Sequence, residues 1–116
     1  MPLDMLQEMP LSSQKFLDVR LDLRSWVEVE EYLKNCKAII LPIGSTEQHG
    51  PTGAIGTDAF TAEAIALEVG RITGVLVAPT QFFGMAEHHL GFPGTVSLKP
   101  STLLSLLEDL FLSFSR

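Results

Sequence analysis

Ala38-Ile39-Ile40-Leu41-Pro42-Ile43, followed by Gly44-Ser45-Thr46-Glu47-Gln48-His49-Gly50-Pro51, is the stretch on which the fold turns. Its first six residues form an unbroken apolar run, the pattern of a strand covered on both faces in a parallel sheet. The polar segment after it is punctuated by Gly and Pro and continues through Thr52-Gly53-Ala54-Ile55-Gly56 into a helix starting near Thr57. Ala59, Ala62, Ala64, Ile65, Ala66 and Val69 fill that helix, and Gly70 to Gly74 close it. Val75-Leu76-Val77-Ala78-Pro79 then reads as a second buried strand.

Upstream, Ser25-Trp26-Val27-Glu28 has the form of a capping box, with Trp26, Val29, Tyr32 and Leu33 as the apolar stripe of a short helix to about Cys36. Residues 1–24 show no sustained period and are expected to be an N-terminal arm. Downstream, a long loop from Gln81 to Pro100 carries Phe82, Phe83, His88, His89 and the turn Phe92-Pro93-Gly94-Thr95. Ser101 is expected to cap a last helix with the stripe Leu103, Leu106, Leu107, Leu110 and Phe114. Strand, helix, strand, helix is the order of an α/β domain with a mostly parallel sheet. Two parallel strands do not make a covered sheet, so the fold is expected to be incomplete in this chain. Residues 25–116 then form the N-terminal part of a larger α/β domain.

Composition narrows the function. The 116 residues carry a formal charge of −6, and the eight Lys and Arg are scattered, which argues against nucleic acid as a partner. Cys36 is the only cysteine, so there is no internal disulfide, and it reads as a structural thiol. No apolar stretch approaches the about 20 residues of a membrane span, and Met1-Pro2-Leu3-Asp4 does not open a signal peptide. The expectation is a cytoplasmic protein with no membrane partner.

Chemistry concentrates just past the first strand, where ligands bind in open α/β sheets. In extended chain, residues i and i+2 face the same way, so Glu47 and His49 can converge while Gln48 faces aside. Asp58 lies in the first turn of the following helix, and the intervening glycines permit a tight return. A carboxylate, an imidazole and a second carboxylate suit Zn, Mn or Fe as divalent ions, and an aspartate can bridge two of them. The plainer reading is equally consistent with spacing: Asp58 as the acidic residue of a helix start, Glu47 and His49 as loop residues. A phosphate cradle is disfavoured, because the loop lacks the Gly-Lys-Ser/Thr ending and sets acidic groups against an anion.

The run from Leu41 to Pro51, then Gly56-Thr57-Asp58 and the Ala-rich helix, closely resembles the signature of the creatininase (creatinine amidohydrolase) family. His89-Leu90-Gly91-Phe92-Pro93-Gly94-Thr95-Val96-Ser97-Leu98 resembles the family's second signature stretch in content and distance, so the likeness covers about residues 38–112. It implies a three-layer α/β/α fold with a mostly parallel sheet, cytoplasmic location and homo-oligomers. It also implies metal-dependent hydrolysis of a non-peptide C–N bond in a small cyclic or formyl amide. The implied cofactor is divalent metal, two ions, with Glu47, His49 and Asp58 as ligands and Asp58 bridging. His89 is implied as a substrate contact or as a group orienting a ligand.

Two departures qualify this. Relatives take further ligands from an Asn-Gly-His-x-x-Asn motif that is absent here, so the chain alone is expected to be weakly active or inactive. Thr52-Gly53-Ala54 also stands where His-Leu-Pro is common, removing an imidazole. The rival reading is a non-catalytic fragment or degenerate paralogue acting as an oligomerisation or interaction module.

Overall fold

The computed structural model describes residues 19–116. Residues 1–18, most of the expected arm, lie outside them. The chain divides into two compact units: one holds the described residues up to Pro42 together with Ala64–Pro79, the other Ile43–Glu63 and Thr80–Arg116.

In the first unit, Ser25 accepts from the Glu28 backbone N–H at 3.2 Å while the Glu28 carboxylate accepts from the Ser25 N–H at 3.3 Å. This capping box starts helix α1, Trp26–Leu33. The helix stops short of Cys36 because the Asn35 and Cys36 N–H groups both turn back to the Tyr32 carbonyl. The Ser25 backbone bond first, then its hydroxyl and Arg24, hold the Glu28 carboxyl below its ordinary value.

Strands β1 (Ile39–Ile40) and β2 (Leu76–Val77) pair in parallel, Ile39 with Leu76 and Ile40 with Val77. Both are shorter than the apolar runs that contain them. Pro42 and Pro79 have no N–H to donate to a ladder; the Ala78 N–H still reaches the Ile40 carbonyl at 2.8 Å, but beyond it the regular pairing is interrupted. The expected burial on both faces holds for Leu76 and Val77, whereas Ile39 and Ile40 are half-buried. The Val19 carbonyl accepts from Val77 N–H at 2.7 Å, and Val19 forms the unit's core with Ala66 and Val77, against which Ile40 and Leu67 pack. Tyr32 closes the unit from the side: its hydroxyl donates to the Ala38 carbonyl and accepts from Leu76 N–H.

Helix α2, Thr57–Thr73, follows β1 and precedes β2. Its residues up to Glu63 belong to the second unit and the remainder to the first. Of the small and aliphatic residues that mark it in sequence, Ala59 and Ala66 are buried, whereas Ile65 is 62% exposed. In the second unit, Ile43 bridges Gln81 in parallel and Thr46 bridges Val96 in antiparallel sense, which ties the segment after β1 to the long loop. Helix α3, Pro100–Phe114, closes the chain. Ser101 does not cap it. Lys99 occupies the cap position in extended conformation without a side-chain bond, and Pro100, with its fixed φ, takes the first helical position. Leu103, Leu106, Leu107 and Leu110 form its half-buried stripe, but Phe114 is exposed.

Gly70 decides between two opposed effects. Alanine has the higher helix propensity by about 1 kcal/mol. A Cβ here, however, would lie 2.8 Å from both the Val75 carbonyl oxygen and Val77 Cγ2. Overpacking against backbone costs about 1–3 kcal/mol, so Gly70→Ala is expected to lower the denaturant midpoint; a raised midpoint would show that the Val19–Val77 core yields.

The Glu28 cap has a sign as well. Because its carboxyl is held below the unfolded value, its contribution is present above the ordinary carboxylate range and is lost as pH falls through the depressed value. Glu28→Gln is expected to reduce the acid-side loss of α1 protection in amide exchange between pH 7 and pH 3; an unchanged pH response would discount the cap.

Candidate metal centre

All the site residues picked from sequence lie in the second unit. Glu47, Gln48 and His49 follow the Thr46–Val96 bridge, and the chain returns at once, because His49 and Gly53 bridge in antiparallel sense and Glu47 N–H donates to the Ile55 carbonyl at 3.1 Å. Thr57 then closes a turn onto the Ala54 carbonyl with both its N–H and its hydroxyl, and α2 begins. This return places Asp58 in the first turn of α2 opposite the Glu47–His49 segment.

The three side chains meet. His49 Nε2 lies 3.4 Å from Asp58 Oδ1, and the Asp58 carboxyl is near enough to Glu47 to act on its titration. The neighbouring Asp58 carboxyl, with burial, pushes the Glu47 carboxyl up from its ordinary value. Two neighbouring carboxylates need a shared proton or a cation between them. His49 is held for one purpose: its Nδ1 lies 3.0 Å from the Glu47 carbonyl oxygen, which can only accept. Nδ1 therefore donates, and the lone pair of the neutral ring is on Nε2, the atom facing Asp58. The same backbone bond, followed by the Asp58 and Glu47 charges, raises the His49 pKa against the opposing effect of burial.

His89 joins the group from the long loop, where Glu87–His89 form a short 3-10 turn. Its Nε2 is 3.3 Å from Glu47 Oε2. His88 is exposed, and its ring lies 4.0 Å from that of His89, centroid to centroid. One ligand atom each of Glu47, His88 and His89 fall within 4.8 Å of one another, an alternative metal-sized cluster.

Sequence reasoning missed Gln48 and Thr95. The Gln48 N–H donates to Thr95 Oγ1 at 3.1 Å, and its side chain meets His89 Nδ1 at 2.8 Å. The alternation that sends Glu47 and His49 one way sends Gln48 the other; what waits there depends on the long loop, which no local pattern specifies. Beside these groups lies a cavity of about 340 Å³ lined in part by Gln48, His49, Pro51, Ile55, Phe92 and Pro93. The Pro93 turn forms its wall, as its sequence suggests.

The fold, the convergence of Glu47 and His49 on Asp58, and the second signature stretch carrying His89 point to one family, and residues 22–116 match the model of creatininase, creatinine amidohydrolase. The chain belongs to the creatininase family. It is 39% identical over 88 residues to 3-dehydro-scyllo-inosose hydrolase of Thermotoga maritima, covering 75% of this chain and 28% of that protein. It is 40% identical over 77 residues to the mycofactocin precursor peptide peptidase of Mycolicibacterium smegmatis, covering 61% and 31%. A glutamate-to-glutamine mutant of creatininase complexed with creatine superposes with a TM-score of 0.80 at 29% identity, covering 85% of this chain and 40% of that one. Solved creatininases include manganese and zinc–zinc forms. The chain thus spans under a third of the length of these two relatives, and the creatininase-family α/β fold is the one it carries.

The return that builds the site rests on Gly53, where a Cβ would lie 2.0 Å from the His49 carbonyl oxygen and 2.7 Å from His49 Cβ. Gly53→Ala is expected to cost about 1–3 kcal/mol and to shift the His49 ring resonances. Gly91→Ala, where a Cβ meets open space, serves as the control. Unshifted His49 resonances in a folded Gly53→Ala protein would show that the return does not set the ring.

Proposed function

We propose that this chain supplies part of the divalent-metal site of a hydrolase acting on a C–N bond in a small cyclic or formyl amide. Glu47, His49 and Asp58 are the proposed ligands, with Asp58 bridging two ions of Zn, Mn or Fe. The observation that carries this reading is the convergence of two carboxyls with an imidazole whose lone pair is turned toward them. The donor set fits: oxygen and nitrogen donors without thiolate suit these ions. The metal forms of solved creatininases, and the peptidase and amidohydrolase names among relatives, support it.

When bound, divalent ions there supply Lewis acidity toward the amide carbonyl and make water acidic enough to attack near neutral pH. Glu47 and His49, as ligands, are not free to act as bases. Asp58, beside His49, would help hold the same ions. Ile55 and Phe92 give the adjacent cavity apolar walls against which a small uncharged ring can lie. The proton for the leaving nitrogen is assigned to a group outside this chain, which is why the chain alone is expected to be weakly active or inactive.

A cytoplasmic location and homo-oligomers belong to the same proposal. Among the described residues no helix is long and apolar enough to cross a membrane. Leu104 at 70%, Leu112 at 60% and Phe111 at 55% exposure leave apolar area on α3 of the kind that associates. That area also favours the second reading, an oligomerisation module without activity.

Calorimetric titration separates the two. Zn²⁺ or Mn²⁺ is expected to bind the chain, and Glu47→Gln, His49→Asn and Asp58→Asn are each expected to weaken binding by more than the roughly 10–100-fold typical of outer-shell changes. Absence of binding by the folded chain would leave the module reading. Hydrolysis of creatinine or formamides is expected only from a version extended to the length of the relatives; full activity from these 116 residues would overturn the incomplete site.

A further inference from the structure

The Gly50 N–H donates to Gln48 Oε1 at 2.9 Å. A backbone N–H cannot accept, so this bond fixes which end of the Gln48 amide is oxygen. The NH2 end then faces His89 Nδ1 at 2.8 Å, and an amide NH2 can only donate. Nδ1 of His89 therefore supplies its lone pair, and the neutral ring carries its proton on Nε2. That nitrogen lies 3.3 Å from Glu47 Oε2. His49 is locked in the opposite tautomer by the Glu47 carbonyl. Two imidazoles thus approach one pair of carboxyls, the first presenting a lone pair and the second a proton.

We infer that Gln48 is a positioning residue that fixes the tautomer of His89, keeping a proton rather than a lone pair on the nitrogen nearest Glu47, and so keeps the ring out of the metal's ligand set. The inference rests on the reading of Glu47 as a ligand and deepens it. It also decides between the two clusters on the page. Glu47, His88 and His89 are close enough for an ion, but His89 can turn a lone pair toward Glu47 only if Gln48 reverses its amide, setting NH2 against the Gly50 N–H. Glu47 with His49 and Asp58 requires no such reversal.

The test is long-range proton–nitrogen spectroscopy of the labelled chain at pH 8, before and after zinc. His89 is expected as the Nε2–H tautomer in both, without a coordination shift at its nitrogens, while His49 Nε2 takes one. Gln48→Leu is expected to lose that single tautomer and to weaken zinc binding by about 10–100-fold, as for other groups that orient a ligand. Gln48→Glu, which keeps the shape and the acceptor for Gly50 but offers no donor, is expected to place a proton on His89 Nδ1; a side chain that only fills space would leave the tautomer alone. An Nδ1–H tautomer in the unsubstituted chain, or a zinc shift on His89 Nε2, overturns the inference. Failure of the chain to take up zinc would overturn the metal reading instead, and the tautomer before zinc still decides the role of Gln48.

Discussion

The approach of Glu47, His49 and Asp58 to one another is the constraint around which the second unit is arranged. Like charges this close are unfavourable unless a proton or a cation intervenes. The raised Glu47 value is the signature of that conflict. Nothing in the packing relieves it, and no Lys or Arg is paired with either group among the ion pairs of the described residues. Two imidazoles approach instead. Natural sequences spend stability in this way at functional sites, and this conflict sits where the chain returns between residues 47 and 58.

That return is backbone work. The His49–Gly53 bridge, the bond from Glu47 N–H to Ile55 and the Thr57 turn leave little freedom between the first ligand candidate and the helix. Asp58 consequently does not depend on its side-chain bonds to be in place; it arrives with the start of α2. Gly44 extends the same economy, since a Cβ there would lie 2.3 Å from the Ala59 backbone, so only glycine lets the segment before Glu47 approach the first turn of α2. Burial elsewhere in the unit is modest, and Ala59 and Ala86 are its fully covered apolar residues.

What could be read from sequence was what local physics controls. The Ser25–Glu28 box needs only four residues, and the shared side of Glu47 and His49 needs only alternation. The start of α2 at Thr57 follows from a turn and an acidic first residue. Strand lengths were not legible because the apolar runs say nothing about donors, and Pro42 and Pro79 interrupt the ladder inside them. Ser101 was the natural cap by residue type, yet Pro100 beside it had the stronger geometric preference. Gln48 was invisible for a different reason: its partner His89 is 41 residues away and arrives on a loop held by Thr46, Thr95 and Ser97.

The opposed tautomers of His49 and His89 show why residue type alone under-describes such a centre. Both are half-solvated imidazoles within 3.4 Å of a carboxylate oxygen, and a search by distance treats them alike. They differ in what their far nitrogens touch, a carbonyl for His49 and an amide NH2 for His89. A carbonyl leaves the near nitrogen of a neutral ring its lone pair, and an NH2 leaves it the proton. The chemistry of each ring is therefore set one bond away from the site, by the backbone at Glu47 in one case and by Gln48, anchored on Gly50, in the other.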